Sequence, residues 1–107
     1  MNTMTNDENP KATFTIKKIA NWHYARNLIG GSNDQAQVKK LIEEVTELVD
    51  SLSTGQNPID DIGDIIVVLV NIAERHKLSI DECLEHAYND IKDRRGQMVD
   101  GIFVKEK

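Results

Sequence analysis

One cysteine, two prolines, one tryptophan and no apolar run longer than six residues set the first limits on this 107-residue chain. A lone thiol, Cys83, closes no disulfide within the chain, and no Cys/His spacing suits a structural zinc, so neither device staples the domain. Cys83 falls at an apolar helical position and reads as core filler in a reducing, cytosolic setting. The longest wholly apolar run, residues 65–70, is far short of the roughly 20 residues of a membrane span. The opening MNTMTNDENPKA lacks the apolar stretch of a secretory signal. A cytoplasmic location with no membrane partner is therefore expected. Scarce Gly and Pro beside 39% hydrophobic and 29% charged residues exclude a disordered or fibrous chain. The length suits one domain. Residues 1–13 read as a disordered polar tail and residues 14–107 as the domain, one small enough to gain from self-association.

Basic residues are missing where acids concentrate. Residues 43–64 hold Glu43, Glu44, Glu47, Asp50, Asp60, Asp61 and Asp64 with no Lys or Arg, a local charge of −7 in a chain of net −5. The remainder is mildly basic at +2. That asymmetry argues against nucleic acid as a partner and for cations, or for anions reached through cations.

Periodicity predicts four helices joined by short turns, an all-α architecture. The first spans about residues 15–29, with Gly30-Gly31 as its stop. Ser32-Asn33-Asp34 then supplies N-cap chemistry for a second helix, whose stripe runs through Val38, Leu41, Ile42, Val45, Leu48, Val49 and Leu52. After a turn over residues 53–57, Asn57 caps and Pro58 opens a third helix reaching about His76. Its β-branched run could alone be a buried strand, but the polar residues around it keep helical spacing. Ser79-x-x-Glu82 is a capping box for a fourth helix with the stripe Ile80, Cys83, Leu84, Ala87 and Ile91, ended by Gly96. An Asp-Gly signal near the end marks a turn or an extension packing on a neighbour.

Helical projection puts Glu44 and Glu47 together at the edge of the second helix's apolar stripe, with Glu43 and Asp50 further out. On the third helix Asp61, Asp64, Val68 and Asn71 share one narrow stripe, and apolar residues fill most of the remaining circumference. A helix apolar nearly all round is buried. Unpaired buried carboxylates cost several kcal/mol each, so the stripe needs a counter-charge. One E-x-x-E alone is an ordinary solvated face; two acidic pairs on consecutive antiparallel helices, both beside the apolar stripe, point to a hard divalent cation, Mg²⁺ or Mn²⁺. No E-x-x-H suits a di-iron bundle, no H-E-x-x-H suits zinc, and DDIGD lacks the alternating oxygens of a calcium loop. His23, His76 and His86 read as structural.

Glu43-Glu44-x-x-Glu47 followed by Asp61-x-x-Asp64 resembles the E-E-x-x-E … E-x-x-D signature of the MazG-like all-α nucleotide pyrophosphohydrolases. KKLIEEVTELVDSL and DDIGDIIVVLVNIAERHKLSIDECLEHAYNDIKDRRGQMVDGIFVKE look like that family too, and the likeness covers roughly residues 14–105. The resemblance implies a four-helix MazG-like bundle with a core completed by oligomerisation as a homodimer or homotetramer. It implies hydrolysis of a ribo- or deoxynucleoside triphosphate to monophosphate and pyrophosphate, by water activated on Mg²⁺ attacking the α-phosphorus. It assigns metal binding to Glu44, Glu47, Asp61 and Asp64, with Glu43 a further ligand or the group that orients water. One departure is Asp61, where the family usually has Glu; the shorter side chain leaves open direct ligation, a water-mediated contact or participation by Asp60. Asn71 would contact nucleotide or metal shell, Lys92 and Arg95 the phosphates within the chain or across a subunit interface, and Trp22 the base. Two other readings stand beside this one: phosphoribosyl-ATP pyrophosphohydrolase activity, or a non-enzymatic helical interaction module.

Overall fold

Local capping chemistry decides where each helix begins and ends. The computed structural model describes residues 10–106, which form α1 (Pro10–Ala25), α2 (Asp34–Ser53), α3 (Ile59–Arg75), α4 (Ile80–Ile91), β1 (Gly96–Val99) and β2 (Ile102–Lys105). Asn33 adopts extended backbone, and its side chain accepts a hydrogen bond from the Ala36 amide at 2.8 Å, opening α2 as its sequence predicts. Ser79 and Glu82 exchange both bonds of the capping box at the start of α4. At α3 the expected order shifts by one residue: Pro58 is the cap, and Asn57 Oδ1 accepts from the Ile59 amide.

Three helices end alike. After α2, Gly55 takes φ 73° while the Gln56 amide reaches the Ser51 carbonyl at 2.8 Å. After α3, Lys77 (φ 60°) plays the glycine's part, and the Leu78 amide closes onto Ala73 O. After α1, Asn27 (φ 57°) does so, with the Leu28 amide on His23 O. This last pairing corrects the expected end of the first helix. Asn tolerates the left-handed region well enough to stop α1 at Ala25, before Gly30-Gly31 are reached. At the other end, residues 10–13 of the expected tail belong to α1, while residues 1–9 lie outside the described residues.

The structure is mostly helical, with four helices as expected, and the C-terminal turn adds a small two-strand hairpin. β1 and β2 form an antiparallel hairpin in the register Val99↔Ile102 and Gly96↔Lys105. Asp100 and Gly101 both have positive φ, 50° and 81°, the conformation of the two-residue turn that matches strand twist. Gly96 does not stop α4, which ends at Ile91. It starts β1, where a Cβ would collide with the Val104 carbonyl and the Phe103 ring.

α3 is the hub: α1, α2 and α4 each pack against it. Residues of α3, Val68, Val70, Asn71 and Ala73, together with Ala20, His23 and Glu44, are the buried side chains among the described residues. Polar contacts fix α1 and the following loop to α3. His23 Nε2–H donates to Val67 O at 2.8 Å, and Asn71 Nδ2 donates to Leu28 O at 3.0 Å and to His23 Nδ1 at 3.3 Å. Leu28 O can only accept, which fixes the amide's orientation and hence the ring's Nε2–H tautomer. Arg75 binds Asp34 at 3.0 Å and also donates to the Ile29 carbonyl. The structural role expected for His23 therefore stands.

Outside that hub, little apolar surface is covered. Val38, Ile42, Val45, Val49 and Leu52 of α2 are all exposed, α4 has no buried residue, and every hairpin residue is exposed. Cys83, expected in the core, is exposed on α4. Helical spacing does give α4 an apolar stripe, but Cys83, Leu84, Ala87 and Ile91 on it are exposed. Among the described residues, no helix is long and apolar enough to cross a membrane.

Candidate metal centre and adjoining cavity

Glu44 and Glu47 lie one turn apart on α2, and α3 brings Asp64 opposite them. One carboxylate oxygen from each falls within 4.8 Å of the others. Glu44 is buried, Asp64 half-buried and Glu47 exposed, so the triad runs from the helix interface out to solvent. Burial pushes the Glu44 carboxyl above its ordinary value; Glu47 adds to the shift, Lys40 opposes it, and Asp64 and Glu43 reinforce it. Three acids converging in this way could hold a hard divalent cation, whose charge would oppose that shift.

The other residues singled out in the sequence do not all converge here. Asp61, one turn before Asp64 on α3, is half-buried but stands outside the converging triad, as does exposed Asp60. The missing methylene relative to Glu shortens its reach. Glu43 is exposed and pairs with Lys40 at 3.8 Å. Asn71, expected at nucleotide or metal, is fully buried; its amide nitrogen is committed to α1 and the following loop, and its Oδ1 is a buried acceptor without a partner. Lys92 is the exposed C-cap of α4, and Arg95 lies past the helix, immediately before β1. The expected one-turn spacing of these two cations is lost because α4 stops at Ile91.

Trp22 does reach the centre's neighbourhood. A 460 Å³ cavity between α1 and α3 is lined by Thr15, Lys18, Ile19, Trp22, Asp64 and Val67, so it shares Asp64 with the triad. Arg26 lies over the indole at 4.4 Å from the ring centroid, and the His23 ring meets the indole edge-on at 5.3 Å. The His23–Asn71 network therefore holds in place the stretch of α1 that carries Trp22. Sequence reasoning passed over Lys18, although its i, i+4 relation to Trp22 puts both on one helix face.

No family model matches the chain, and no solved structure matches it. The chain is similar to an uncharacterized 18.2 kDa protein in the rep-hol intergenic region of Haemophilus phage HP1 (strain HP1c1), with 39% identity over 72 residues. The match takes in 65% of this chain and 43% of that protein, so it spans less than half of the relative's length.

Proposed function

We propose that this chain is a metal-dependent nucleoside triphosphate pyrophosphohydrolase, a hydrolase of phosphoric anhydrides resembling the MazG-like family. The observation that carries the reading is the convergence of Glu44, Glu47 and Asp64, drawn from two helices, beside a cavity bearing Trp22. Acids merely solvated on a helix surface have no need to meet at a helix interface, nor to accept the burial that raises Glu44.

In this reading Glu44, Glu47 and Asp64 would hold Mg²⁺ or Mn²⁺, and Asp61, one turn before Asp64, would contribute through water. When bound, the cation would supply a water of lowered pKa and neutralise phosphate charge. Water oxygen would bond to the α-phosphorus as the bridging bond to the β-phosphate breaks; its electron pair would leave with pyrophosphate and the water's proton would pass to solvent. Glu43, exposed and outside the triad, orients the attacking water. Trp22 offers its indole face to the base. Asn71 acts from inside the fold by fixing His23 and thereby the α1 wall of the cavity.

Lys92 and Arg95 would contact phosphates across a subunit interface, from the α4 end of a second copy. The exposed apolar faces of α2, α4 and the hairpin support such a homodimer or homotetramer, since surfaces of this kind mark association. The same faces favour a second reading, a non-enzymatic helical interaction module. Magnesium separates the two. Incubation with a panel of ribo- and deoxynucleoside triphosphates, with Mg²⁺ or with EDTA, followed by chromatography, is expected to yield monophosphate and pyrophosphate in the metal arm alone. A chain that turns over no triphosphate with Mg²⁺ or Mn²⁺ is not this enzyme.

A further inference from the structure

The cavity between α1 and α3 carries a cation that no carboxylate claims. Thr15, Lys18, Ile19 and Trp22 follow at i, i+3, i+4 and i+7, so one face of α1 forms a wall; Asp64 and Val67, one turn apart on α3, form the other. The space is of the size that small organic ligands occupy. It is acidic at Asp64, aromatic at Trp22, and apolar at Ile19 and Val67.

Nearby cations are already engaged. Arg26 covers the Trp22 ring, Lys40 pairs with Glu43, and Arg75 is held by Asp34 and the Ile29 carbonyl. Lys18 makes no ion pair with any described residue, although it shares the cavity with Asp64. Its ammonium rests 5.2 Å from the centroid of the Phe14 ring, a contact readily exchanged for an anion. A triphosphate brings about four negative charges to a site already carrying three carboxylates, so even with divalent cations present an anionic surplus must be met by protein. Lys18 is the cation placed to meet it, because its cavity opens on Asp64 itself.

We propose that Lys18 binds a phosphate oxygen of a nucleoside triphosphate seated at the acidic triad, while the nucleobase occupies the same cavity against Trp22. This rests on the metal-dependent reading above and adds to it the residue and the cavity that receive the substrate. Lys18 thereby supplies a phosphate contact from within the chain, beside those that Lys92 and Arg95 would make from a second copy.

Trp22 is the chain's only tryptophan, so emission excited selectively at tryptophan, and not at Tyr24 or Tyr88, reports on this cavity. The test titrates non-hydrolysable α,β-imido deoxynucleoside triphosphates of the four bases into the full chain with Mg²⁺, following Trp22 emission. Wild type, Lys18→Met and Lys18→Arg are compared, and Mg²⁺ uptake is measured calorimetrically for each. Lys18 is exposed, so both variants retain the fold, which circular dichroism checks. Wild type is expected to show a saturable change in emission. Lys18→Met should bind the analogue at least about tenfold more weakly, as follows from losing a charge-assisted hydrogen bond, with Mg²⁺ uptake unchanged. Lys18→Arg should recover most of the loss. Analogue binding by Lys18→Met as tight as by wild type overturns the proposal and leaves the metal reading intact. So does Mg²⁺ uptake without any response of Trp22 to analogue. Absence of Mg²⁺ uptake by wild type overturns the metal reading itself, and this proposal with it.

Discussion

Glu44 is a buried carboxylate with acidic neighbours, and the consequence for stability can be tested. Burial first, then the neighbouring acids, raise its carboxyl above the unfolded value. The folded chain therefore holds a proton there that the unfolded chain has released, so without metal stability falls as pH rises from about 4.5 through the elevated folded value, and the penalty persists above it. Glu44→Gln should raise the metal-free melting temperature at neutral pH and flatten this decline while abolishing metal uptake; thermal scans with EDTA across pH 4–8 check it. Asp34 runs the other way. The hydrogen bond from Arg75 leads in lowering its carboxyl, burial opposes this, and His76 assists. Its contribution is present above about pH 3.8 and is lost as pH falls through the lower folded value, so Asp34→Asn should weaken the fold at neutral pH and blunt its acid sensitivity. Asn71 is a third test. Removing its amide leaves Leu28 O and His23 Nδ1 without their donor, and Asn71→Ala should cost about 1–3 kcal/mol by chemical denaturation.

Helix ends account for both the successes and the failures of reading this chain from its residues. Caps whose chemistry is strictly local, Asn33 for α2 and Ser79 with Glu82 for α4, are legible because the partner amide lies three residues away. α3 is a helix despite its β-branched run, since Asp61 and Asp64 keep a helical period that a strand would scatter over both faces. The end of α1 was hidden because a left-handed Asn27 competes with the more obvious Gly30-Gly31, and the choice depends on Asn71 drawing Leu28 O toward α3. The hairpin was half visible: Asp100-Gly101 announces the turn, but strand pairing depends on Gly96 lying against Val104 and Phe103. Likewise, spacing found the triad's acids, whereas excluding Asp61 and recruiting Lys18 required the placement of α1 and α3 in space. Lys77 offers a test of the capping account. It occupies the left-handed C-terminal position of α3 at φ 60°, and Lys77→Gly should stabilise the fold by about 1 kcal/mol, the relief of that conformation less the entropy glycine adds to the unfolded chain.

Taken as a single chain, the molecule leaves the apolar faces of α2, α4 and the hairpin uncovered, and a two-stranded hairpin has little stability without something to pack on. Self-association is the economical solution, and the basic residues around the end of α4 complement the acidic stretch at residues 43–64. Light scattering coupled to gel filtration is expected to give a dimer or larger. Ile42→Asp, on the exposed face of α2 where it disturbs no contact within the chain's own core, should shift that mass toward monomer. A wild-type monomer would instead make these faces a docking surface for some other protein. The rest of the functional reading depends on whether the three carboxylates hold a metal at all. Calorimetric titration of Mn²⁺ into the wild-type chain and into Glu47→Gln, an exposed substitution that the fold tolerates, addresses this most directly. Saturable uptake by wild type, weakened more than about tenfold in the variant, is the expected result, since losing even a group that only orients a ligand costs that much. Equal uptake by both, or none by wild type, would contradict it.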